Sequence, residues 1–309
     1  MKIYTITLSP AYDVHATARS LVLKHENLAH VKRRDAGGKG VNVSRALTCN
    51  GIENTAVVVL GSDNCADFKA ALESDKMTYI GIEKEGRIRE NLTIHTEGEG
   101  EDETRISFSG FSLDNSILAE IENLLSVDKN TVVTFTGSVP HGIDMPEIKK
   151  FLARLKNKGA KVVVDSRSFT LSDLIEVKPW LIKPNSEEIA TYSGKKVNSF
   201  ADCLDFAKKL HFCGIENVMI TLGERGALLV TENASVTAVP PTINALSTIG
   251  AGDSTIAGFI AAYSDGKDAA ECLKVAVSFG TAACLLEGTT PPIRENMAAI
   301  YEKVQITEL

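Results

Sequence analysis

Cysteine, proline and aromatic residues are all scarce in this chain of 309 residues, which holds 6 Cys, 9 Pro, 1 Trp and 6% aromatics. Cys49, Cys65, Cys203, Cys213, Cys272 and Cys284 lie far apart with no CxxC pair. That excludes a zinc ribbon and a small disulfide scaffold, and it fits a reducing, cytoplasmic compartment. Positive charge is in deficit as well, with 33 Lys+Arg against 40 Asp+Glu and a formal net charge of −7. No cationic field is available to hold a nucleic acid by counterion release or to bind an anionic membrane surface. Long apolar runs are missing: no stretch of about 18 residues is both uncharged and apolar throughout, so no membrane span is expected. The opening MKIYTITLSPAY alternates apolar with polar residues and meets Pro10 early, the pattern of a strand and not of a signal peptide.

Several nucleotide and metal signatures are absent too. Each Gly-Lys pair (Gly38-Lys39, Gly194-Lys195, Gly266-Lys267) lacks the following Ser or Thr of a Walker A loop. Gly250-x-Gly252 runs into Ser254 and Thr255, so there is no GxGxxG, and the dinucleotide oxidoreductase reading weakens with the P-loop one. In HENLAH, His25 and His30 are five apart where one helix face needs four, and the remaining histidines are scattered, so no zinc site is expected. What remains is a protein for a small-molecule substrate.

What is present is the alternation of an α/β protein. Short β-branched runs at 3–8, 55–60, 130–136, 161–166, 180–185 and 217–223 are separated by helix-period patterns such as Val43, Ala46, Leu47 and Leu118, Ile121, Leu124, Leu125. Consecutive apolar residues mark strands buried on both faces, which predicts three layers, α/β/α, around a mostly parallel central sheet. Two segments break the pattern. Residues 11–36 read as extended and polar, and 86–109 alternate around an acidic tip from Glu97 to Glu103, a hairpin signature. We read 1–309 as one domain with a small β-sheet lid built from these two insertions. The region from 250 to 305 reads as helical with no strand.

Two glycine-rich turns open helices. In STIGAGDSTIAGF (247–259), Gly250, Ala251 and Gly252 lead into an apolar helical pattern. Amides of a first helical turn lack internal acceptors and sit at the positive end of the dipole, so they can hold an anion. Asp253 in that turn is placed to accept a proton from an attacking hydroxyl. The plainer alternative is an N-cap with small residues for packing. In AGGKGVNVSRAL (36–47), Gly37, Gly38 and Gly40 allow close backbone approach, with Lys39 as a cation and Asn42 as a two-sided hydrogen-bonding group; the alternative is a packing turn with a solvated lysine. KPNSEEI (183–189) sets Asn185 and Glu188 three apart after a strand, equally suited to orienting hydrated Mg²⁺ and to a simple helix capping box. TLGERGA (221–227) offers Thr221, Gly223 and Gly226 for phosphates or for a tight turn.

Together, Asp13 in LSPAYD, GGKGVN at 37–42, Arg89 and Asn91 in GRIREN, TGSVP at 136–140, KPNSEE at 183–188, TLGERGA and TIGAGDS at 248–254 resemble ribokinase-like carbohydrate kinases over nearly the whole chain. The resemblance is closest to the branch of 1-phosphofructokinases and tagatose-6-phosphate kinases, with SFSGF (107–111) and PWLIKPN (179–185) most like the former. It implies that Asp253 is the catalytic base, with the Gly250, Ala251, Gly252 and Asp253 amides around the γ-phosphoryl of ATP. It implies that Asp13, Gly38 and Asn42 hold sugar hydroxyls, and that Lys39, Arg89 and Ser138 meet the phosphate already on the substrate. Lys183, Asn185, Thr221, Gly223 and Gly226 would serve ATP, with Glu188 joining Asn185 on Mg²⁺ through water, while Thr248 and Gly280 border the nucleotide. The family also pairs lids into a homodimer.

The chain departs from the family at Ser9 in place of the usual Asn, at Thr255 in place of a bulky apolar residue, and in the cluster Lys32, Arg33, Arg34, which we read as solvated surface. Two acceptor-side cations favour a phosphorylated sugar, since an unmet charge-assisted contact costs about 1.5–3 kcal/mol. The expected activity is therefore transfer to fructose 1-phosphate. Tagatose 6-phosphate or fructose 6-phosphate is the nearest alternative, then a neutral sugar or nucleoside. A non-catalytic sugar sensor is the alternative of another class, against which the retained Asp253 speaks.

Overall fold

The computed structural model describes residues 1–96, 103–195, 197 and 199–309. Ten strands form one sheet in the order β14 (Gln305–Glu308), β13 (Ser235–Val239), β12 (Ala227–Val230), β11 (Asn217–Thr221), β10 (Leu181–Ile182), β9 (Lys161–Asp165), β8 (Thr131–Thr136), β1 (Lys2–Thr7), β4 (Thr55–Gly61) and β5 (Tyr79–Lys84). From β11 to β5 every neighbouring pair is parallel, and β12, β13 and β14 extend the edge antiparallel. Val132, Val133, Val162, Val163, Val218 and Ile220 are fully buried, as strands covered on both faces require.

Helices cover both faces. On one lie α3 (Ser116–Leu124), α4 (Met145–Asn157), α5 (Leu171–Val177), α6 (Ser186–Ser193) and α7 (Phe200–Phe212), closing a core through Ile121, Phe151, Leu155 and Leu210. On the other lie α1 (Lys39–Cys49), α2 (Cys65–Ser74), α8 (Ala251–Ser264), α9 (Ala269–Ala283) and α10 (Arg294–Tyr301). Helix α8 is buried along ten consecutive residues, Asp253 to Ala262, because it packs on the sheet between α1 and α9. Gly258 permits that contact: a Cβ there would stand 2.8 Å from the Phe279 ring.

A second sheet has the order β3 (Ala29–Gly37), β2 (Ala11–Ala18), β6 (Arg89–Thr96) and β7 (Glu103–Ser107). Its strands come from the two insertions that the sequence pattern marked. The acidic tip lies outside the described residues over 97–102. The polar reading of 11–36 needs correction for β2, whose residues are almost all buried because it is an inner strand between β3 and β6. The basic cluster lies at the surface as expected, with Lys32 and Arg34 exposed and Arg33 half-buried, and the two arginines are nonetheless engaged. Arg33 pairs with Asp35 at 2.6 Å and donates to Thr290 Oγ1 at 2.8 Å, while Arg34 lies 3.6 Å over the Tyr12 ring and reaches Glu90 at 3.1 Å.

The main sheet also departs from the expected strand list. Strands β5, β12, β13 and β14 carry no run long enough to mark them beforehand, and β14 begins where the chain was read as wholly helical. The expected strand at 180–185 shrinks to Leu181–Ile182. Pro184 has no N–H for a ladder, and Lys183 turns toward Asp165.

Candidate active site

The parallel strands present their carboxyl ends on one side, where open α/β sheets bind ligands. Asp165 ends β9, Lys183 follows β10, Thr221 ends β11, and Gly137 with the exposed Ser138 follows β8. Both glycine-rich turns arrive at this rim. Gly38 is the N-cap of α1 at φ 120° and Gly250 the N-cap of α8 at φ 78°, backbone that a side chain would strain, and neither helix has a side-chain cap. The first-turn amides of α8 at Gly252 and Asp253 are thus left to a ligand. Lys183 Nζ lies beside Gly252, 3.1 Å from where a Cβ on that residue would stand.

Asp253 is 6% exposed, and its Oδ2 accepts from Asn42 Nδ2 at 2.8 Å. Burial pushes its carboxyl up to about 6; Lys39, Asn42 and Lys183 pull the other way, and Asp165 adds to the rise. A carboxylate titrating there is ionised at neutral pH and still basic enough to take a proton. Beside it stands Asp165, whose Oδ2 accepts from Lys39 Nζ at 2.9 Å and whose Oδ1 faces Lys183 Nζ at 3.8 Å. Burial alone would raise the Asp165 carboxyl, and the two lysines outweigh it and hold it below the ordinary carboxylate range. Burial likewise pulls Lys39 down, but Asp165, Asp253 and Glu188 more than offset it and keep the ammonium charged.

On the small sheet, Asp13 is 5% exposed and accepts from Asn91 at 2.8 Å, with Arg105 at 3.7 Å. Gly37 lies so close that a Cβ there would meet Asp13 Oδ2 at 2.1 Å. Arg89 NH1 only grazes Asn91 at 3.5 Å, and its Nε is buried without a hydrogen-bond partner among the described residues. Burial lowers the Arg89 guanidinium from its ordinary value, Arg105 adds to that, and Asp13 opposes it. An anion would relieve all of this at once.

Asn185 and Glu188 form a reciprocal capping box, with Oδ1 accepting from the Glu188 amide at 2.9 Å and Oε2 from the Asn185 amide at 3.0 Å. The capping alternative is therefore realised, and Glu188 still lies in the field of Lys39. Asn185 bridges to Thr221, which precedes the turn Gly223–Arg225 and Gly226. Among the described residues no three His, Cys, Asp or Glu form a metal cage. A divalent ion here would keep water and phosphate ligands, which is how Mg²⁺ binds, and Asn185 and Glu188 are the residues that could orient its waters.

Most of the expected residues thus meet along one rim, from Arg89 through Asp13, Asn42 and Asp253 to Lys183 and Thr221. Thr248 is exposed just before α8. Gly280 is buried in α9, where a Cβ would meet Thr255 Oγ1 at 2.3 Å, so helix packing alone requires a glycine there. The unusual Thr255 fits that contact and donates to Ala251 O at 2.9 Å. Asp165 and Arg105 were not singled out beforehand. Asp165 had a readable signal, a carboxylate closing the apolar run KVVVD, whereas Arg105 had none.

A proton acceptor, an open helical anion site and cations on both sides define a phosphotransferase with an alcohol acceptor. The pfkB family carbohydrate kinase model matches residues 8–296, and the chain belongs to that family. It is 31% identical over 308 residues to 1-phosphofructokinase of Haemophilus influenzae, covering 99% of this chain and 98% of that one. It is 29% identical over 310 residues to 1-phosphofructokinase of Bacillus subtilis, covering 99% and 100%. A crystal structure of phosphofructokinase-2 from Escherichia coli in complex with substrates and products superposes with a TM-score of 0.91 at 25% identity, covering 98% of this chain and 99% of that one. The chain is a fructose-phosphate kinase.

Proposed function

We propose that the enzyme transfers the γ-phosphoryl of ATP to the C6 hydroxyl of fructose 1-phosphate, giving fructose 1,6-bisphosphate and ADP. The observation that carries this reading is Asp253: a buried base in the same helical turn as open amides, within hydrogen-bond reach of Asn42. Asp253 takes the hydroxyl proton as the sugar oxygen bonds to phosphorus and the bond to the β-phosphate oxygen breaks. The Gly252 and Asp253 amides and Lys183 meet the charge on the moving group, and nearly all the acceleration comes from such positioning and electrostatics. Asp13, Gly38 and Asn42 hold sugar hydroxyls. Lys39, Arg89, Ser138 and also Arg105 stand toward the substrate's own phosphate, and Arg89 Nε, unpartnered, is the reason to prefer a phosphorylated sugar. Lys183, Asn185, Thr221, Gly223, Gly226 and Thr248 face ATP.

Mg²⁺, held through water by Asn185 and Glu188, would neutralise phosphate charge. Exposed Leu28, Val31, Ile106 and Phe108 on the small sheet and its β2–β3 loop favour a homodimer in which lids pair. Among the described residues no helix is long and apolar enough to cross a membrane, and we place the enzyme in the cytoplasm.

Release of ADP measured with fructose 1-phosphate, tagatose 6-phosphate, fructose 6-phosphate and fructose tests the assignment. The highest kcat/KM is expected with fructose 1-phosphate. Preference for fructose 6-phosphate, the ligand of a phosphofructokinase-2 crystal structure of like fold, would move the substrate phosphate to the other end of the sugar. No ADP with any acceptor would overturn the kinase.

A further inference from the structure

Arg45 is 7% exposed, one helical turn after Asn42 on α1, and none of the chemistry above uses it. Its guanidinium makes three contacts. Nε meets Asp75 Oδ2 at 2.6 Å, NH2 donates to Ala36 O at 2.5 Å, and NH1 donates to Asn42 Oδ1 at 3.4 Å. Asp75 closes α2 and Ala36 belongs to β3 at the start of the glycine-rich turn, so two separate elements hold the planar fork in place.

We propose that Arg45 is a positioning residue that fixes the direction of the Asn42 amide, so that Asn42 can only donate to Asp253. The geometry leaves the amide one orientation. Turned over, its oxygen would face the Asp253 carboxylate and its NH₂ would face a guanidinium that has no acceptor, so both contacts would become repulsive. With Oδ1 turned toward Arg45 NH1 in this long contact, the side chain offers only N–H on the catalytic side. One hydrogen goes to Asp253 Oδ2, and a sugar hydroxyl beside Asn42 must accept from the other. Lys39, Asp165 and Lys183 also face Asp253, and none of them touches Arg45. Loss of Arg45 therefore frees the amide to turn without changing the rest of the field.

The test reads the base directly in the full-length chain. Carbon-13 carboxyl NMR of aspartate-labelled enzyme, with Asp253 identified by the signal lost in Asp253→Asn, gives its titration midpoint with no substrate present. That arm stands independently of the substrate assignment. A hydrogen bond to the ionised form favours it, so Arg45→Met is expected to raise the midpoint by about one pH unit. Asn42→Ala is expected to do the same, and the double variant to add nothing further. Midpoints unchanged in Arg45→Met, or shifts that add in the double variant, would overturn the relay. Should Arg45→Met fail to fold, Arg45→Lys keeps the charge and a donor for Ala36 O but loses the fork, and the same midpoint shift is expected. The kinetic arm rests on the kinase reading: kcat/KM for fructose 1-phosphate should fall about threefold at pH 6.5 and recover by pH 8.5. An equal loss at both pH values would mean a structural role only.

Discussion

Helices α6 and α8 both start at the rim of the sheet with an acid in the first turn, yet their N-termini are opposites. At α6 the side chains of Asn185 and Glu188 satisfy each other's amides before any ligand arrives. At α8 the N-cap is Gly250, no side chain caps the turn, and Asp253 is buried beside two lysines. The first arrangement stabilises the fold and gives a ligand one polar flank. The second leaves amides uncapped and a carboxylate desolvated, which costs stability and supplies chemistry.

The contrast breaks most visibly at Asp253. Asp253→Asn is expected to lower kcat by at least about 10² with little change in either KM, because a general base contributes about 10²–10⁴-fold; steady-state ADP release checks it, and near-normal turnover would remove the base. On the acceptor side, Arg89→Ala should raise KM for the sugar phosphate about 10- to 100-fold while KM for ATP holds. Equal losses for both substrates would take Arg89 out of the acceptor site.

At α6 the test is a substitution that keeps the cap. Ser caps as well as Asn does, so Asn185→Ser should melt at the wild-type temperature while the Mg²⁺ concentration for half-maximal rate rises about tenfold. An unchanged Mg²⁺ requirement would leave α6 with its structural role alone.

The smallest effects concern pH and stability. The acid limb of kcat/KM should have its midpoint near pH 6, where Asp253 gains its proton. Because its folded pKa lies above the unfolded value, ionised Asp253 opposes folding: this group's penalty is absent below about pH 4, grows as pH rises, and is complete above about pH 6. Asp253→Asn should therefore raise stability at pH 7.5 by about 1–3 kcal/mol and leave it nearly unchanged at pH 4. Thermal melts at the two pH values would show it, and a variant less stable than wild type at pH 7.5 would contradict the burial argument.

Legibility followed the strength of local signals. Runs such as TAVVVL and KVVVDS announced buried strands because parallel strands between helices are apolar on both faces. Strands β12 to β14 are only four or five residues long and pair antiparallel at an edge, too short for their period to stand out. Glycines in GAGDS and GGKG revealed uncapped helix starts. Gly280 is a glycine that helix packing requires, and in one dimension such a glycine looks like one needed for a ligand. The contacts that Arg33 and Arg34 make at the surface were not legible, since their partners Thr290 and Glu90 are distant in sequence.

The order of residues along the chain by itself determined the layered α/β architecture, the two insertions and the placement of Asp253 in a helix's first turn, because hydrophobic period, turn chemistry and helix starts are encoded over a few neighbouring positions. Tertiary structure alone decided the electrostatic character of the site. The rise in the Asp253 pKa, the Lys39–Asp165–Lys183 cluster and the fork of Arg45 on Asn42 depend on burial and on contacts between elements that no local pattern specifies. Electrostatic energy follows distance and desolvation in space, and those are set only when strands and helices are brought together.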